Sequence, residues 1–430
     1  MPNRHSVTQR LPIIAARLRD RLLATVIAAG LLGACAEPLD PITRDETNSS
    51  APATSDPSQL LSTTDGVPIY PGQSIQSAVN ARPAGTKFTI KAGTHHRQRV
   101  VPKDYDKFVG EPGAILDGDK ITYYAFETLR SAPRGVVIQG LIIQNYATSD
   151  AGQAVIQGDN AINWTVEANE IRYNTRTGLH TGDGMKVLRN KIHHNGLSGI
   201  NGYRSDNVLV EGNEVSYNNA SNSTSTPSLS SMAGMKFLQG QNLTVRNNNV
   251  HDNTGKGIWT DHMYLNTLIE GNQVTANRDA GIWHEASYSA IIRNNLCQKN
   301  GAAGSGWLAN SGIQVSNSPN VEIYGNTVAY NGNGIGVMYA SGYPTTGPYG
   351  ALIVQNLYVH DNTVKMSSGR TGLVTNTGDK SIYTSRNNRF VHNTYYLGSS
   401  TTTYFTWNEV NRTPAQWRGI PEDATGTFNY

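Results

Sequence analysis

The sequence predicts an all-β solenoid of stacked parallel coils, and three observations predict it. From residue 137 onward one phrase recurs: an apolar run, Asn, any residue, an apolar residue, two residues, and Asn again. Eight copies have their first asparagines at Asn169, Asn190, Asn213, Asn248, Asn272, Asn295, Asn326 and Asn388, and the steps up to Asn326 are 21, 23, 35, 24, 23 and 31 residues. A base period of 21 to 24 residues, with two coils carrying insertions, is the signature of a repeat architecture. Finally, 43 Gly and 42 Asn stand against only 16% charged residues, and the short β-branched runs between them offer no helix-length amphipathic stretch. Leucine-rich and helical solenoids are thereby disfavoured, and parallel β-coils remain.

The elements follow in chain order. Residues 1–34 carry Arg4, Arg10, Arg17, Arg19 and Arg21 against Asp20, then the apolar run LLATVIAAGLLGA, too short to span a bilayer comfortably but of the length found in export signals. The run ends in Leu32-Gly33-Ala34-Cys35, which resembles the lipobox of bacterial lipoprotein signal peptides. That resemblance implies acylation of Cys35 and a lipid anchor in a bacterial membrane. Ala36 rather than Asp after the cysteine favours the outer membrane or cell surface. A soluble secreted protein cleaved nearby, or a short uncleaved anchor, are the alternatives. Residues 35–68 are rich in Ser, Thr, Pro and Asp and read as a flexible tether.

Residues 69–430 form the predicted solenoid domain. Its charge is close to neutral: of 35 Lys and Arg and 32 Asp and Glu, removal of the first 34 residues leaves 30 and 31. No concentrated positive stripe is present, so nucleic acid is not an expected partner. Two cysteines cannot build a disulfide framework. The repeated asparagines are read as structural, because identical amides stacked every ~4.8 Å at a turn can hydrogen-bond in a ladder and tolerate left-handed backbone angles. Cys297 fills the Ile/Val slot of its copy and is expected to be a buried hydrophobe.

A solenoid needs covered ends. Residues 73–81 (QSIQSAVNA) read as a short amphipathic helix, followed by PAGTKFTIKAGTH, and the chain closes on FTWNEVNRTPAQWRG. These segments, with the Asn repeats, resemble the right-handed parallel β-helix proteins of the pectate-lyase-like superfamily. The resemblance implies a right-handed parallel β-helix with a short N-terminal capping helix, and a polysaccharide as partner. That superfamily hosts pectate and alginate lyases, hydrolases, epimerases and phage tailspikes, so the fold does not choose a reaction.

A second column aligns on a Gly that opens a strand in each coil: GLHTG, GINGY, GMKFL, GIWTD, GIWHE, GIQVS and GIGVM. The residue after Gly should point inward, so period-2 alternation puts His180, Asn201, Lys236, Trp259, Trp283 and Gln314 in one outward row. Gly182, Tyr203, Leu238, Asp261, Glu285 and Ser316 form the other. Lys236, Asp261 and Glu285 therefore meet beside two tryptophans expected to be exposed, about 5 Å apart coil to coil. Sugar rings stack on indoles, so Trp259 and Trp283, extended by His180, Tyr203 and Arg204, are the candidate substrate-binding residues. Insertions at residues 219–233 and 301–310 would wall the groove.

Two reactions fit Lys236, Asp261 and Glu285. In a lyase acting on a uronate-containing glycan, Asp261 and Glu285 would hold a cation, Ca²⁺, against the substrate carboxylate while Lys236 or a neighbouring His removes a proton; the Lys beside paired acids resembles the arrangement of calcium-dependent β-helix lyases. In a glycoside hydrolase the two acids would be the acid and the nucleophile or base. A non-catalytic glycan-binding or structural β-helix is the third reading. The protein is expected to act as a monomer. His284 falls on the inward register and is expected to be packed rather than reactive.

Overall fold

The computed structural model describes residues 66–128, 131–149, 153–219, 232–302, 304, 306–420 and 423–430. Cys35, the export signal, nearly all of the tether and the loop at 220–231 lie outside the described residues.

Short β-branched runs broken by Asn and Gly wind the chain through three parallel sheets in turn. Among the described residues these hold 13, 13 and 12 strands, the third ending in one antiparallel strand. One coil shows the plan: Leu265–Glu270 lies in the first sheet, Gln273–Thr275 in the second and Ile282–Glu285 in the third. Ala290–Arg293 then returns to the first sheet in parallel register, with Thr267 opposite Ala290. Each coil thus lays its residues over their counterparts in the one before. Val166, Val187, Val210, Val245, Ile269, Ile292, Ile323, Val359 and Phe390 form one such inward column, every member fully buried. Each side chain contributes about 1.5–3 kcal/mol of apolar burial.

The asparagines form the expected ladders. The first runs through Asn169, Asn190, Asn213, Asn248, Asn272, Asn295, Asn326, Asn362 and Asn393, each Nδ2 donating to the next Oδ1 at 2.9–3.0 Å. The second links Asn174, Asn195, Asn218, Asn253, Asn277, Asn300 and Asn331 at 2.9–3.1 Å. Each Oδ1 also accepts a backbone N–H of the preceding coil, as Asn295 does from Asn272 at 2.9 Å. Buried turn groups that a solenoid would otherwise orphan are satisfied in this way.

Two details of the sequence reading are corrected. The copy at Asn388 is shifted by one strand, because Phe390 pairs with Val359 in the first sheet, which makes Asn393 the ladder residue and adds Asn362 as a further copy. The shift arose because the turn before that strand is itself Asn387-Asn388, which mimics the phrase. The left-handed angle also falls on the residue before each ladder Asn: Ala168 has φ 52°, Tyr173 52° and Asp252 53°. The ladder residues stay free to send their amides inward. Asparagines do adopt that angle in a separate exposed column, Asn207, Asn242, Asn266, Asn320, Asn356 and Asn387, at φ 52–59°.

Both ends are covered. Helix α1 (Ile75–Asn80), capped by Ser74, buries Ile75 and Val79. At the other end Val410–Arg412 pairs antiparallel with Phe405–Trp407, and helix α2 (Pro414–Arg418) carries a Thr413/Gln416 capping box. Trp417 on α2 is fully buried and stacks on Phe405 with centroids 4.8 Å apart.

Candidate active site

The third sheet carries the cluster. Ala233–Leu238, Lys256–Asp261, Ile282–Glu285 and Ser311–Ser316 lie side by side, and their register aligns Lys236 with Trp259, Trp259 with Trp283 and Trp283 with Gln314. Inward positions between them hold Ile258, Thr260, Ile282 and His284, all fully buried. His284 is packed, its ring nitrogens 2.7 Å from Thr260 Oγ1 and 3.1 Å from the Tyr288 carbonyl, and burial lowers its pKa to about 4.

Lys236, Asp261 and Glu285 come together. Lys236 Nζ lies 3.1 Å from Asp261 Oδ2 and 3.3 Å from the centre of the Trp259 ring. Trp259 Nε1 donates to Glu285 Oε2 at 2.8 Å, and Tyr343 OH donates to Glu285 Oε1 at 2.5 Å. Lys256 stands close by, 3.5 Å from Asp279 and 4.5 Å from the Trp259 ring centre. His262 Nδ1 reaches Asp261 Oδ1 at 3.2 Å.

Burial shapes the electrostatics. Asp261 and Glu285 are only 6% and 5% exposed, which corrects the expectation of acids on an open solvent face. Desolvation, with the Asp261 charge adding to it, raises the Glu285 pKa to about 7 against the opposing hydrogen bonds from Tyr343 and Trp259. Desolvation lowers Lys236, opposed by the Asp261 carboxylate, and lowers Lys256 as well. An amine pushed down in contact with the Asp261 carboxylate, and a carboxyl pushed up within reach of its charge, form a candidate base and acid pair.

The two tryptophans behave differently from expectation. They stack on each other, centroids 5.0 Å apart and 6° from parallel, and Lys236 covers the far side of Trp259. Trp259 is therefore 5% exposed and has no face for a sugar, which corrects its assignment as a stacking platform. Its indole instead positions Glu285. Trp283 is half-buried and lines a cleft of about 490 Å³. His180, 6% exposed and 2.8 Å from Asp159, is a buried residue rather than an open subsite group, although its Nε2 has no hydrogen-bond partner among the described residues. Tyr203 and Arg204 are exposed and packed together, and Arg204 borders a second cleft with Gln239 and Tyr349.

The pair Asp261 and Glu285 does not fit Ca²⁺. Among the described residues no group of three or more His, Cys, Asp or Glu converges on one point. Moreover the Lys236 ammonium holds the Asp261 carboxylate, and both Glu285 oxygens accept hydrogen bonds. Six to eight oxygen ligands are what that ion requires.

Sequence reasoning missed Tyr343, Lys256 and Trp307. Tyr343 reaches Glu285 from a loop 58 residues further along the chain, after the strand Asn333–Tyr339, and nothing local signals the contact. Lys256 precedes the strand-opening Gly257, where alternation assigns an inward position, yet its long stem carries the amine to the tryptophans. Trp307 sits in the insertion at 301–310 and lines the cleft of Trp283.

Comparison with known proteins follows the fold closely. The family model described as "Right handed beta helix region" matches residues 154–307, 220–347 and 266–410. No protein of curated function matches the sequence. Among solved structures, the Azotobacter vinelandii mannuronan C-5 epimerase AlgE6 A-module is similar at TM-score 0.52 and 14% identity, over 83% of this chain and 93% of that one. The PL6 family polysaccharide lyase Pedsa3628 from Pseudopedobacter saltans is similar at TM-score 0.52 and 12% identity, over 85% and 92%. The complex of XylC with xylose gives TM-score 0.55 and 10% identity, over 83% and 82%. At these identities the likeness is one of fold. The family match spans more than half the chain and coincides with the three-sheet coils and their Asn ladders, and on those grounds the chain belongs to the right-handed β-helix family.

Proposed function

We propose that this protein is a polysaccharide lyase that cleaves a uronate-containing glycan on its third sheet. The observation that carries the reading is the geometry of one buried cluster, in which Lys236 Nζ lies 3.1 Å from Asp261 and Glu285 is held beside them by Trp259 and Tyr343. β-Elimination needs a base and an acid within reach of the same sugar. Burial favours the uncharged amine of Lys236, which takes the proton from the carbon beside the uronate carboxylate. The electron pair forms the new carbon–carbon double bond, the bond to the glycosidic oxygen breaks, and Glu285 gives that oxygen its proton. Asp261 holds Lys236 in place, and the Lys256 amine lies beside the cluster, 4.5 Å from the centre of the Trp259 ring. Structures named for C-5 epimerisation of mannuronan and for polysaccharide lysis lend weight to uronate chemistry on this fold.

A glycoside hydrolase is the second reading, favoured by one feature. Of two buried carboxyls on adjacent coils, Glu285 retains a proton near neutrality while Asp261 carries the ion pair to Lys236, the division between acid and nucleophile that hydrolysis uses. Incubation of the protein with a panel of acidic and neutral polysaccharides, following unsaturated-uronate absorbance and reducing ends, separates the readings. Both signals together support the lyase, and reducing ends alone the hydrolase. Silence in both, with retained glycan binding, leaves a binding or structural β-helix.

The same proposal places the domain outside the cytoplasm as a monomer anchored through Cys35 to a bacterial membrane, the outer membrane or cell surface. Support comes from the Leu32-Gly33-Ala34-Cys35 motif and the Ser/Thr/Pro-rich residues after it. Cys35→Ser should release the protein from the membrane fraction, and radiolabelled fatty acid should mark only the wild type.

A further inference from the structure

The cleft beside the reacting cluster is a built site. Trp283 packs one side on Trp259, and its other side faces the coil of Gln314, where the cleft opens. Gln314 lines the cleft and is 3% exposed. Trp307 lines the same cleft, 42% exposed and held at φ 50°, ψ 45°. A bulky residue in the left-handed region persists only where its surroundings impose it.

Those surroundings are visible. Leu308 is buried against Met338 and Val374. The Leu308 carbonyl accepts from Ser311 Oγ at 2.8 Å, and the Ala309 carbonyl accepts from Asn333 Nδ2 at 2.7 Å. The fold thus fixes an exposed indole at the rim instead of burying it. Arg278 is exposed and borders the cleft, with Lys256 and Asp279 beside it.

We infer that this cleft is a subsite for one hexuronate residue of the glycan. The apolar face of the ring lies on Trp283 and Trp307, and the carboxylate pairs with Arg278. An acidic sugar is the ligand that presents an apolar face and an anion together. This inference rests on the uronate reading given above and names the residues that select for it.

The test uses the Glu285→Gln protein, so that binding is read without turnover, and isothermal titration with oligogalacturonate and oligoalginate tetrasaccharides beside a neutral cello-oligosaccharide of the same length. The inference expects at least one acidic oligosaccharide to bind. It expects Trp307→Ala to weaken that binding about tenfold, with Trp307→Phe largely restoring it, and Arg278→Gln to remove the preference over the neutral chain. Circular dichroism melts of these surface variants should match the parent. Unchanged affinity in Trp307→Ala, equal affinity for the neutral chain in the parent, or no binding of either acidic probe would overturn it. Turnover lost in Glu285→Gln is measured separately, so failure of the subsite and failure of the reaction are distinguishable.

Discussion

Tyr343 and Glu285 lie 58 residues apart in the chain and meet at 2.5 Å, the phenol donating to one carboxylate oxygen while Trp259 donates to the other. Both donors favour the ionised carboxyl, and burial opposes them. The acid strength of Glu285 is therefore set jointly by one loop and one neighbouring strand.

Tyr343→Phe removes one of these donors and leaves the ring in place. Glu285 should then hold its proton to higher pH, and the basic limb of the pH–rate profile should move upward relative to the wild type. A profile with its basic limb unmoved would separate Tyr343 from the titration of Glu285.

Glu285 also links stability to pH. Its folded-state value of about 7 lies above the ordinary 4.5. A raised carboxyl contributes stability that is fully present below pH 4.5 and is lost as pH rises through 7. Glu285→Gln removes that penalty, so the variant should be more stable than the wild type above neutrality, by on the order of 2–3 kcal/mol, with a smaller difference under acidic conditions. Thermal melts across pH 4 to 8.5, a range chosen to bracket about 4.5 and about 7, read this directly. A constant difference across that range would contradict the raised value.

Lys236 and Asp261 should be coupled. Lys236→Met strands a buried carboxylate and should cost about 3–5 kcal/mol. Adding Asp261→Asn should recover much of the stability without recovering turnover, because the amine is still absent. A double-mutant cycle by urea denaturation, with activity measured on the same proteins, tests both halves.

Ladder asparagines should matter more than their surface neighbours. Asn272→Ala leaves the Val245 carbonyl and the Asn248 amide without their partners, inside a buried turn. The expected cost is about 2–3 kcal/mol. Asn266→Ala, in the exposed column, should cost less than about 1 kcal/mol. Equal unfolding midpoints for the two variants would argue against the ladder as the source of stability.

Much of the fold was legible because a solenoid repeats its physics every coil. Val166 to Phe390 recur as one inward column, and each Asn from Asn169 to Asn393 needs the next to satisfy it, so the pattern is written along the chain at a base period that insertions lengthen in some coils. The same alternation brought Lys236, Asp261 and Glu285 onto one face, since parallel register converts equal strand positions into spatial neighbours. Tertiary structure alone decided what those residues face. Burial turned the expected sugar platform of Trp259 into a packed support for Glu285. The Lys236 amine engages Asp261 at 3.1 Å, a contact the sequence did not reveal. Tyr343 and Trp307 come from insertions that obey no repeat, so their places depend on how those loops fold back on the coils. A period carries register but not loop paths, and the chemistry of this face is set where the loops meet the register.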